Sequence, residues 1–68
     1  MQFSAQEIKV IKLICKQLSN KEIAETTQLQ VRTIEDKRHK IQEKMNVKNG
    51  VGIISYSLIH GLVALNEL

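Results

Sequence analysis

The chain has 68 residues, 43% hydrophobic and 25% charged, which suits one small soluble domain and leaves no room for a second. Ten Lys and Arg against seven Asp and Glu give a net charge of +3, a mildly basic balance that suits an anionic partner. A single cysteine excludes an internal disulfide, and no glycine-rich phosphate loop or spaced His, Cys and carboxylate cluster supplies enzyme chemistry.

The first helix is predicted from Ala5 to about Leu18. Ser4 with Glu7 fits a capping box, and Phe3 with Ile8 fits a hydrophobic staple around it. Ile8, Ile11, Ile14, Cys15 and Leu18 fall on one face at helical spacing, with Val10 off the stripe. Cys15 reads as a buried structural thiol, since nothing nearby would lower its pKa.

The second helix, Asn20 to about Thr26, repeats this grammar. Ser19 and Glu22 form a capping box, with Asn20 a competing cap, and Leu18 and Ile23 form a staple. The β-branched pair Thr26 and Thr27 weakens its end. A turn of three or four residues follows, from which Leu29 is expected to plug the core.

The third helix is predicted from Val31 to Met45. Ile34, Ile41 and Met45 share its apolar face, bordered by Val31 and Arg38. Arg32, Asp36, His39, Lys40 and Glu43 collect on the opposite face, with Glu35 on one flank and Thr33, Lys37 and Lys44 on the other. Asn49 is placed to cap a fourth helix ending near His60, with Gly61 as the stop. Ile54, Leu58, Ile59 and Leu62 suit its core face, and Ile53, Tyr56 and Val63 extend the apolar surface. His39 and His60 lie on different helices without a metal-ligand array, and no cofactor or metal is expected.

The N-terminus has no basic region leading into an apolar stretch, so no secretory signal is expected. The charge-free segment from Asn49 to Asn66 holds three glycines, two serines and a histidine, too polar for a membrane span. A cytoplasmic location is expected.

The expected fold is thus all-α, a small four-helix domain. A short helix, a tight turn and a longer charged helix form a helix-turn-helix arrangement. The helix pair alone fits many small bundles, and a charged helix face is often merely solvated. Six cations between Arg32 and Lys48 favour nucleic acid, although Glu35, Asp36 and Glu43 halve their net charge.

The segments Phe3-Ser4-Ala5-Gln6-Glu7-Ile8 and Leu18-Ser19-Asn20-Lys21-Glu22-Ile23-Ala24 resemble the DNA-binding domain of the LuxR/NarL/GerE family. Thr33-Ile34, Ile41, Lys44, Met45, Val47 and His60-Gly61-Leu62 continue the pattern. The resemblance implies one LuxR-type domain over residues 1–68 of a bacterial transcription regulator. It implies sequence-specific binding of double-stranded DNA, with the third helix in the major groove and a homodimer through the fourth. Such domains often follow a phosphorylatable receiver or sensor domain.

Carried onto this chain, the resemblance implies base reading by Glu35, Asp36 and His39. It implies phosphate contacts by Ser19, Asn20, Lys21, Arg32, Thr33, Lys37, Lys40 and Lys44, and dimerisation through Ile53, Tyr56, Ser57 and His60. Three positions depart from the pattern: Gln30 replaces a Ser or Thr cap, Lys37 a histidine, and Gly50 a basic residue. The net charge of +3, the Glu35-Asp36 pair and Gly50 keep open a protein-interaction module on the same fold.

Overall fold

The computed structural model describes residues 3–68; Met1 and Gln2, included above in the domain, lie outside the described residues. The elements are α1 (Ala5–Cys15), α2 (Asn20–Thr27), α3 (Val31–Met45), α4 (Gly50–Ile59) and a 3-10 turn (Leu65–Glu67). No strand occurs among the described residues. No helix among them is long and apolar enough to cross a membrane.

Local chemistry sets where three helices start. Ser4 Oγ accepts from the Glu7 N–H at 3.1 Å, while the Glu7 carboxylate accepts from the Ser4 N–H at 2.9 Å. Ser19 and Glu22 repeat this box at the same two distances, so Ser19 and not Asn20 is the cap. Asn49 Oδ1 accepts from the Gly52 N–H at 3.0 Å and starts α4. Gln30 makes no side-chain cap, yet α3 still begins at Val31.

The helix ends depend on the left-handed backbone region. α1 stops at Cys15, three residues before the predicted Leu18. Gln17 takes φ 64°, and the Gln17 and Leu18 N–H groups return to the Ile14 and Leu13 carbonyls at 2.8 and 3.4 Å. This is a Schellman closure with glutamine where glycine is usual. It turns the chain so that half-buried Leu18 packs on the core beside the start of α2. α2 runs one residue beyond the predicted Thr26. The Thr26 and Thr27 hydroxyls donate back to the Glu22 and Ile23 carbonyls at 2.8 and 2.7 Å, so both stay helical. Gln28 and Asn46 end α2 and α3 at φ 59° and 57°, and Gly61 follows α4 at φ 72°.

The core is built largely from isoleucine: Ile11 and Ile14 of α1, Ile23 of α2, Ile34 and Ile41 of α3, and Ile53 of α4. Val10, off the predicted stripe, is fully buried, whereas Ile8 is only half-buried. Cys15 is buried, and loss of water pushes its thiol pKa up. α1 packs against α3 and α4, and α2 packs mainly on α3. Leu29 is half-buried and touches the core from the turn, as expected. Leu62 and Val63 close it from beyond α4.

α4 corrects the expected core face. Ile53 and Ser57 point inward and are fully buried, while Ile59 is 79% exposed and Ile54 and Leu58 are half-buried. The Ser57 hydroxyl donates to the Ile53 carbonyl at 2.7 Å, which satisfies it inside the core. Gly52 explains this rotation. A Cβ there would lie 2.7 Å from Val47 Cβ, so α4 turns its hydrogen-only side toward the loop it follows.

Candidate nucleic-acid interface

The fold presents α3 with one face buried and the other open. Arg32, Glu35, Asp36, His39, Lys40 and Glu43 are exposed, and Thr33 and Lys37 are half-buried on the flank. The three expected base readers therefore lie within two turns on the solvent side. His39 Nε2 lies 3.8 Å from a Glu43 carboxylate oxygen, one turn on. Both side chains are well exposed, so either is free to exchange this contact for another.

One flank of α3 forms a groove of about 530 Å³ with the start of α1. Ser4, Glu7, Thr33, Asp36, Lys37, Lys40 and Lys44 line it. Three cations thus share the groove with two carboxylates, and one cation is committed. Lys44 Nζ donates to both Glu7 carboxylate oxygens at 2.9 and 3.0 Å and lies 5.5 Å from the Phe3 ring centroid. The Ser4 N–H, and then Lys44, hold the Glu7 pKa below its ordinary value. Lys44, expected to touch phosphate, pairs with Glu7 in this structure and ties α3 to α1. Two residues 37 positions apart carried no local signal of this pairing.

The start of α2 adds a second set of donors. The Asn20 and Lys21 N–H groups lie in its first turn, where no intrahelical carbonyl reaches them. Ser19 Oγ accepts one bond in the cap, and its hydroxyl proton can still reach an outside acceptor. Lys21 is exposed and Asn20 half-buried. Such a turn, positive in its partial charge, suits a phosphate.

Arg38 sits on the border of the buried face, as its spacing predicts. Its Nη2 lies 3.1 Å from where a Gly50 Cβ would stand. The glycine that departs from the family pattern thus leaves room for this guanidinium.

The expected dimer residues separate. Ile53 and Ser57 are in the core and cannot meet a second copy. Tyr56 is half-buried, stacked on exposed His60 with centroids 4.1 Å apart and edge-on to Phe3 at 6.4 Å. The outward side of α4 carries Val51, Ser55 and Ile59 instead, with Val51 72% exposed. The near-uniform apolarity of α4 hid its phase. Among the described residues, no group of three or more His, Cys, Asp and Glu could hold a metal ion.

Comparison with known proteins agrees with this geometry. The GerE description, bacterial regulatory proteins of the luxR family, matches residues 1–57. The transcriptional regulatory protein MctR of Rhizobium johnstonii is 37% identical over 59 residues, 87% of this chain and 28% of that protein. The oxygen regulatory protein NreC of Staphylococcus carnosus is 36% identical over 55 residues, 81% of this chain and 25% of that protein. The chain therefore spans about a quarter of the length of the curated relatives it matches. No solved structure gives a significant match.

Proposed function

Because the chain belongs to the luxR family of bacterial regulatory proteins, we propose that residues 1–68 are the sequence-specific DNA-binding domain of a bacterial transcription regulator. The observation that carries this reading is the two-sided α3, held behind the α2 turn with its polar face open to solvent. A helix so presented fits the major groove of double-stranded DNA.

Glu35 and Asp36 accept from cytosine N4, and His39 donates to a purine N7. Their carboxylates also repel phosphates, trading affinity for selectivity. Lys37, Lys40, Arg32 and Thr33 hold the backbone on one side of α3, and the start of α2 holds it on the other. Lys44 is left out of this set because Glu7 occupies it. A homodimer forms through the outward side of α4, using Val51, Ser55 and Ile59 with Tyr56 and His60 at its edge. It places two α3 helices on half-sites about 34–36 Å apart. Receiver-linked regulation in the cytoplasm is the family's usual context and completes the proposal.

A salt titration of binding to random-sequence duplex DNA, read by fluorescence anisotropy, tests the reading. Four Lys and Arg contacts per domain give a log–log slope of about −3.6. Absence of binding at low salt by a folded domain would move the function to protein interaction.

A further inference from the structure

A second basic face lies on α1, apart from α3. α3 carries five cations but also three carboxylates. The outer side of α1 carries Lys9, Lys12 and, at its C-cap, Lys16. At about 100° per residue these three fall within a sector of about 60°, centred roughly opposite Glu7. Glu7, the sole acid of α1, faces α3 through Lys44. The lysine sector therefore points away from the proposed DNA-facing groove. An ordinary solvated face mixes both signs; α1 itself adds no acid to this sector along about 10 Å of helix, and the carboxylate that meets it is Glu67 of the C-terminal turn.

A second observation adjoins it. The C-terminal turn is tied onto the stripe by Glu67, whose Oε2 lies 3.3 Å from Lys12 Nζ and whose Oε1 accepts from the Ala64 N–H at 2.9 Å. The turn thereby carries Leu65, 77% exposed, and Leu68, half exposed, on either side of the residue that meets Lys12. Two exposed leucines on a turn tied to a lysine stripe match neither phosphate recognition nor simple solvation.

We propose that Lys9, Lys12, Lys16, Leu65 and Leu68 form a docking surface for an acidic amphipathic segment of a partner protein. Glu67 shows the chemistry the surface takes, a carboxylate seated on Lys12. The partner's carboxylates would join it across Lys9 and Lys16 while apolar side chains cover the leucines. Two leucines are too little to anchor the domain on a membrane, and the sector faces away from any duplex gripped by α3. The surface thus stays open when the domain is on DNA, and the proposal stands apart from the DNA reading.

The test is an amide NMR titration with a synthetic 15-residue helical peptide bearing Glu and Leu on one face. Shifts are expected across residues 9–16 and 64–68. Lys9→Gln, Lys12→Gln and Lys16→Gln together should weaken binding about tenfold, with the helical circular dichroism unchanged. Leu65→Ser with Leu68→Ser should also weaken it. Shifts confined to α3, or equal binding by the triple variant, would overturn the proposal. So would a triple variant that loses DNA salt slope, or a peptide with Ser for Leu that binds equally well. Lysine-dependent binding to phosphatidylserine vesicles tighter than to the peptide would reassign the surface to membranes and overturn it too.

Discussion

The Lys44 ammonium bridges both oxygens of the Glu7 carboxylate, which ties the end of α3 to the first turn of α1. The same carboxylate closes the α1 capping box. One acid thus starts a helix and braces its neighbour. Lys44→Met should cost about 0.5–1 kcal/mol in urea denaturation and leave the DNA salt slope unchanged. Lys37→Ala and Lys40→Ala should each lower that slope by about 0.9 and weaken all sequences alike. A slope loss in Lys44→Met equal to theirs would show that Lys44 leaves Glu7 for phosphate.

Acid stability follows from the caps. Glu7, Glu22 and Glu67 each have a pKa below the ordinary 4.5, mainly because the backbone N–H of Ser4, Ser19 and Ala64 favours the carboxylate. A depressed folded pKa contributes stability above the unfolded value, and that contribution is lost as pH falls through the folded value. Thermal stability should therefore drop on acidification below about pH 4.5. Glu7→Gln, which retains an acceptor oxygen, should flatten that drop. An equally steep loss in the variant would remove Glu7 as a source.

Base reading divides Asp36 from the lysines. Asp36→Ala should alter the sequence recovered in a selection from random duplexes while leaving the salt slope nearly intact. An unchanged consensus would strike Asp36 from the readers.

α4 separates packing from association. Ile53→Ala should destabilise by about 2–5 kcal/mol, a large fraction of what so small a domain holds. Ile59→Ser should change stability by no more than about 0.5 kcal/mol. The same change should weaken cooperative binding to paired half-sites. Sedimentation and a two-site binding isotherm check both arms; full cooperativity in Ile59→Ser would move the dimer contact elsewhere.

The glycines of α4 make opposite predictions. Gly52→Ala drives a methyl into Val47 Cβ at 2.7 Å and should cost about 1–3 kcal/mol. Gly50→Ala meets only the mobile end of Arg38 at 3.1 Å. Helix propensity should then leave it neutral or stabilising by up to about 1 kcal/mol. Thermal melts of the two variants should move apart.

Local patterns in the sequence settled much of this protein. The two Ser–Glu boxes and the Asn49 cap act within four residues, so α1, α2 and α4 begin where composition says they must. The charged, strongly periodic α3 was legible end to end, and the seven-residue run Leu18 to Ala24 was enough to recognise the family. Tertiary structure decided the rest. Helix α1 ended early because packing of Leu18 required Gln17 to turn left-handed. α4 is apolar almost all round, so periodicity pointed to Ile54, Leu58 and Ile59, whereas packing, with Gly52 close against Val47, put Ile53 and Ser57 inside. The same packing brought Glu7 within reach of Lys44 and set Glu67 on Lys12. Which charges remain available to a partner depends on such long-range pairs, and no local pattern encodes them.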